Sequence, residues 1–166
     1  MFVVEAHSDK ESSEFYVSLG KQLSALTSEE SDLIANLANI SAVLYDQIDR
    51  LNWLGFYLVK QDELVLGPFQ GKVACVRIGH GKGVCGAAWA TGETQRIDDV
   101  HAFPGHIACD SASNSELVVP IFHQGRVVAV LDIDSPESAR FSEVDQAGIE
   151  GLLPMLERLA WDQVSM

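Results

Sequence analysis

The stretch SELVVPIFHQGRVVAVLDID, Ser115 to Asp134, decides the fold. Two runs of branched apolar residues, Ser115 to Phe122 and Arg126 to Asp134, flank Gln124-Gly125, and this pattern predicts a β-hairpin. Asp132 and Asp134 share one face of the second strand, because side chains alternate. Carboxylates so close to a core strand are costly unless they are exposed or partnered. Either the strand ends there and both acids are solvated beside the Ser135-Pro136 turn, or they belong to a site. The loop register decides whether Glu116 joins them. A two-residue loop pairs 116 with 133 and turns Glu116 away from both aspartates. A three-residue loop with Gly125 in the left-handed position pairs 116 with 132 and gathers all three carboxylates on one face. Glycine at the third loop position favours the second arrangement.

Working outward, Asn52 to Lys60 (NWLGFYLVK) is rich in aromatic and branched residues and reads as a strand. Trp53, Gly55 and Tyr57 fall on one of its faces. Two rings around a glycine leave a small apolar gap, although both could equally fill a core. Glu63 to Phe69, Lys72 to Arg77 and Gln95 to Ile97 read as further strands. Between them Cys85, Ala88 and Trp89 mark a short helix closed by Thr91-Gly92. Gly81-Lys82-Gly83 lacks the spacing of a phosphate loop. The N-terminal region is helical, with Phe15, Leu19, Leu23 and Leu26 at helical spacing. Thr27-Ser28-Glu29-Glu30 matches a capping box that restarts the helix. Leu33, Ile34, Leu37, Ile40, Leu44 and Ile48 then form a stripe. Ser142 caps a final helix through Leu152, Leu153, Leu156 and Leu159. Helices at both ends of a meandering, mostly antiparallel sheet make an α+β sandwich.

The 166 residues suit one domain, 47% of them hydrophobic and 21% charged. A formal net charge of −13 argues against nucleic acid and against anionic membrane surfaces, and mildly for a cationic ligand. The N-terminal residues show no signal-peptide pattern and no apolar run reaches membrane-spanning length. Cytoplasmic placement is therefore expected. Three cysteines cannot form a fully paired extracellular framework. Their spacings are long for zinc, and His80 and His106 would have to complete any such site.

Cys109 is the thiol placed to react. It sits in FPGHIACD, inside a loop over 98–114, with Ser111, Ser113, Asn114 and Ser115 after it. Polar loops carry exposed groups on a rigid scaffold, and long ones are usually functional or disordered. Packing beneath its own loop is the alternative.

Six segments in order, NWLGFY, LGPFQGKVACVRI, GKGVCGAA, FPGHIACD, SELVVPI and GRVVAVLDIDSP, resemble the free methionine-(R)-sulfoxide reductases, which are built on a GAF domain. The resemblance runs over nearly the whole chain and implies a single GAF-like catalytic domain over 1–166. It implies that Cys109 is the catalytic cysteine, Cys75 the resolving one and Cys85 an auxiliary thiol. It also implies a ligand pocket of Trp53, Tyr57, Glu116, Asp132 and Asp134.

The residue types fit that chemistry. A Cys109 thiolate attacks the sulfoxide sulfur, and a nearby carboxylic acid, Asp134 first and Glu116 second, protonates the departing oxygen. The resulting sulfenic acid condenses with Cys75 to a disulfide. An external dithiol of the thioredoxin type, fed by NADPH, restores both thiols. No metal or organic cofactor is called for. The acids would hold the substrate's ammonium, which a residue inside a polypeptide lacks. The competing expectation is a GAF sensor that binds a small molecule without catalysis. A homodimer is left open.

Overall fold

The computed structural model describes residues 2–4, 9–107 and 111–164. Helices α1 (Ser13–Thr27) and α2 (Leu33–Gln47) precede strands β1 (Trp53–Lys60), β2 (Glu63–Gly71) and β3 (Arg77–Gly79). Helix α3 (Gly83–Thr91), strand β4 (Gln95–Ile97) and the hairpin β5 (Ser115–His123) and β6 (Arg126–Ser135) follow, then α4 (Glu143–Glu150) and α5 (Leu153–Glu157). The six strands form one antiparallel sheet in the order β3-β2-β1-β6-β5-β4. Among the described residues no helix is long and apolar enough to cross a membrane.

Strand alternation sorts the sheet into two faces. Leu54, Phe56, Leu58, Leu117, Leu131 and Ile133 point to one side and pack on Leu19 and Leu23 of α1, Leu37 and Leu44 of α2, and Ile149 and Leu156 of the C-terminal helices. Trp53, Tyr57, Val118 and Val130 point to the other side, where Val84, Cys85 and Ala88 of α3 cover them.

Four expectations need correction. First, α2 does not restart at Thr27. Asp32 caps it by accepting the Ala35 N–H at 2.8 Å, while the Thr27 hydroxyl bonds back to the Leu23 carbonyl and ends α1. Second, Ile34 leaves the stripe and is 51% exposed. Third, Lys72 to Val76 is irregular and β3 begins only at Arg77, so Cys75 does not sit on a strand. Fourth, Ser142 does cap α4, with Asp145 completing a capping box, but the helix breaks after Glu150 and Pro154 opens a separate short α5. Proline lacks the N–H that an unbroken helix would need there.

The apolar gap expected above Gly55 is also closed. β2 carries a bulge opposite Gly55–Tyr57, which brings its backbone over the glycine. A Cβ on Gly55 would lie 2.2 Å from the Phe69 Cβ and 2.9 Å from the Pro68 carbonyl oxygen. The Phe69 ring stacks on Trp53 at 5.1 Å, and Trp53 lies 5.9 Å from Tyr57 in a near-parallel arrangement. The glycine therefore permits a close strand approach.

Candidate active site

The hairpin register sets the site. Gln124 and Gly125 both have positive φ, 52° and 78°, and His123 pairs directly with Arg126. This is the two-residue loop, whose turn type requires positive φ at both positions. Left uncorrected, it would send Glu116 to the wrong face. A bulge between Ile121 and Phe122 shifts the register by one, so Ile121 pairs with Ala129 and Glu116 with Asp134. The three carboxylates do share a face, as expected, but through a bulge and not a three-residue loop.

β1 continues the rows. Trp53 pairs with Asp134, and Gly55 with Asp132. Directly opposed residues on antiparallel strands project to the same side. Trp53, Asp134 and Glu116 thus cross the sheet as one row, with Asp132 in the next. All three acids are buried, at 6–8% exposure.

The start of α3 lies over them. The Cys85 sulfur and one carboxylate oxygen from each of Glu116 and Asp132 all fall within 4.8 Å of one another. The auxiliary thiol thus faces the acid cluster from the apolar helix that carries it. A partly enclosed cavity opens here, lined by Trp53, Tyr57, Cys85, Glu116, Asp132 and Asp134. Ala74, Lys82, His106, Ile107 and Ser113 also contribute to its wall. The sequence reading did not assign those five to the pocket. Ser113 accepts from the Asn52 side chain at 3.0 Å, which ties the end of the long loop to the start of β1.

The two aromatic walls also hold the segment that carries Cys75. The Trp53 indole N–H donates to the Lys72 carbonyl at 3.1 Å, and the Tyr57 hydroxyl donates to the Cys75 carbonyl at 2.8 Å. Cys75 is engaged in a disulfide, whereas Cys85 is a free, buried thiol. Cys109 lies outside the described residues, with Ala108 and Asp110.

Three carboxyls in one dry site cannot all ionise. Burial, reinforced by Asp132 and Asp134, pushes Glu116 well above the usual carboxylate range. Asp132 is also raised by burial, though hydrogen bonds from Glu116, Cys85 and Asp134 oppose the shift. Burial and the same acids raise the Cys85 thiol and the Tyr57 hydroxyl. Burial and His101 lower His106, so it is a neutral ring near neutral pH. The shift at Glu116 favours its protonated form, the form that can donate. Asp132 Oδ1 has no hydrogen-bond partner, although it is fully enclosed. A buried acceptor left unpaired costs about 1–3 kcal/mol, and a donor on a ligand would recover it.

His80 packs edge-on against Trp89 at 4.6 Å and joins no metal-type cluster with His106 among the described residues.

Residues 20–153 match the GAF domain family. The chain is 55% identical over 161 residues to Protein YtsP of Bacillus subtilis, covering 95% of this chain and 98% of that protein. It is 52% identical over 146 residues to the free methionine-R-sulfoxide reductase of Escherichia coli, covering 88% of each. The X-ray structure of free methionine-R-sulfoxide reductase from Neisseria meningitidis in complex with its substrate superposes with a TM-score of 0.89 at 47% identity, covering 95% of this chain and 94% of that one. Motifs, sheet and cavity thus lead to one assignment: the chain belongs to the GAF-domain family and, within it, to the free methionine-R-sulfoxide reductases.

Proposed function

We propose that this protein reduces free methionine (R)-sulfoxide to methionine with its own thiols. One observation carries the reading: three buried carboxyls converge on a cavity walled by two aromatic rings, and one enclosed oxygen there lacks a donor. A zwitterionic amino acid supplies what is missing. Its ammonium donates to Asp132 and its acidic neighbours by charge-assisted hydrogen bonds, and its methyl and methylene groups rest on Trp53 and Tyr57. A methionine sulfoxide within a polypeptide has no ammonium and brings no donor to the Asp132 oxygen, which explains selection for the free amino acid.

The redox steps balance in three stages. The Cys109 thiolate attacks sulfur and takes its oxygen, leaving methionine and a Cys109 sulfenic acid. The oxygen needs a proton as it departs. Glu116 is the better donor, because burial keeps it protonated, with Asp134 beside it across the strand pair. The Cys75 thiol then condenses with the sulfenic acid, releasing water and forming the Cys75–Cys109 disulfide. An external dithiol of the thioredoxin type reduces that bond and returns both thiols, with NADPH as the electron source. No bound metal or organic cofactor takes part. Cys85, buried at the start of α3, stays outside this cycle.

The test is NADPH oxidation coupled through thioredoxin and its reductase. Free methionine (R)-sulfoxide should drive it, while the (S) epimer and an N-acetylated or peptide-bound sulfoxide should not. Equal rates with the N-acetylated compound would remove the ammonium site. Methionine formation without loss of two thiols per chain, in the absence of reductant, would sink the thiol mechanism.

A further inference from the structure

Cys85 takes no part in the proposed cycle, yet its sulfur lies with oxygens of Glu116 and Asp132 inside a 4.8 Å span. A tetrahedral zinc ion, with sulfur at about 2.3 Å and oxygens at about 2.0–2.2 Å, holds its donors roughly 3.5 Å apart. Small side-chain rotations would close this set around one ion. A second, independent feature points to a ligand. Asp132, 6% exposed, lines the cavity, and its Oδ1 has no hydrogen-bond partner.

We propose that Cys85, Glu116 and Asp132 form a binding site for a thiophilic divalent cation of the zinc class, and that an ion there excludes the substrate's amino group. The donor set selects the metal. A thiolate disfavours magnesium and calcium, which take all-oxygen shells, and favours zinc or cadmium. One thiolate and two carboxylates carry three negative charges against the ion's two, so the set favours a cation, and a fourth position stays open to Asp134 or water. Binding replaces the Cys85 thiol proton and the Glu116 carboxyl proton by bonds to the metal and releases both protons, with no redox change. Lys82 is a cation in the cavity wall among the described residues, but it is exposed and can swing into solvent. The metal site stands independently of the proposed reaction. The exclusion of substrate rests on it, because both ligands use Asp132.

The test uses full-length protein carrying Cys75→Ser and Cys109→Ser, which leaves Cys85 as the sole thiol. Cadmium titration is followed by the ultraviolet sulfur-to-metal charge-transfer band. One ion per chain is expected, displaced by zinc. Asp132→Asn and Glu116→Gln should each weaken binding at least tenfold, as loss of a ligand costs no less than loss of an outer-shell partner. Cys85→Ser should abolish the band while circular dichroism shows the fold intact. Absence of the band, or a band untouched by Asp132→Asn, would overturn the site. Free methionine sulfoxide, which this variant cannot turn over, should raise the apparent dissociation constant for cadmium. A metal that binds through Asp132 but ignores the sulfoxide would overturn the exclusion, and wild-type turnover in the coupled assay would show separately whether the reductase reading survives.

Discussion

The two faces of the sheet come from the same strands and are both buried, yet they are built for opposite purposes. On β6, Leu131 and Ile133 turn toward the helices and join an apolar core. Asp132 and Asp134, one residue along in each case, turn toward α3 and are also buried, at 6% and 8% exposure. Burying leucine removes apolar area from water and stabilises the fold. Burying carboxyls costs stability unless a partner arrives. The helix-covered face is therefore where stability comes from, and the α3 face is where stability is given up for binding.

This contrast can be broken, and the largest effect should come from Cys109→Ser. Turnover in the coupled assay should vanish while the melting temperature, compared between fully reduced proteins, stays unchanged, and any wild-type-like rate would remove Cys109 from its role. Next, Glu116→Gln should lower kcat by about 10²–10⁴-fold, the usual worth of a general acid. Unchanged kcat would move the proton to Asp134.

On the opposite face, Leu131→Ala should cost about 2–5 kcal/mol in a urea titration. Its kcat per folded molecule should remain that of the wild type. Asp132→Asn on the same strand should do the reverse, losing activity while the denaturation midpoint holds or rises. A large loss of stability in Asp132→Asn would mean that the acid cluster is structural.

The smallest effect concerns pH. Glu116 has a folded pKa above its ordinary value of 4.5. Between the two values the unfolded chain has released a proton that the native state keeps. Stability from this group is therefore complete below about pH 4.5 and declines as pH rises toward the folded value, by at most about 1.4 kcal/mol per pH unit. Urea midpoints measured from mild acid upward should fall more steeply in the wild type than in Glu116→Gln. Parallel curves would show that Glu116 ionises normally.

Local pattern carried much of this molecule. The branched runs about Gln124-Gly125, the helical spacing from Phe15 to Leu23 and the cap at Ser142 each predict their element, because periodicity and capping act within a few residues. Resemblance then grouped Trp53, Tyr57, Glu116, Asp132 and Asp134, and the cavity does bring them together. Other features depend on partners far along the chain. A bulge answers how two strands fit across many residues, so nothing near Gln124-Gly125 announced the shift at Ile121 that restores Glu116 to its face. The closure over Gly55 comes from Phe69 on a neighbouring strand. The fraying of the Cys75 segment into a loop pinned by Trp53 and Tyr57 depends on hydrogen bonds across the sheet. Cys85 looks like an ordinary apolar helix residue in sequence. Only the docking of α3 places its sulfur beside two carboxyls, because residues 85, 116 and 132 meet only after the whole sheet has formed.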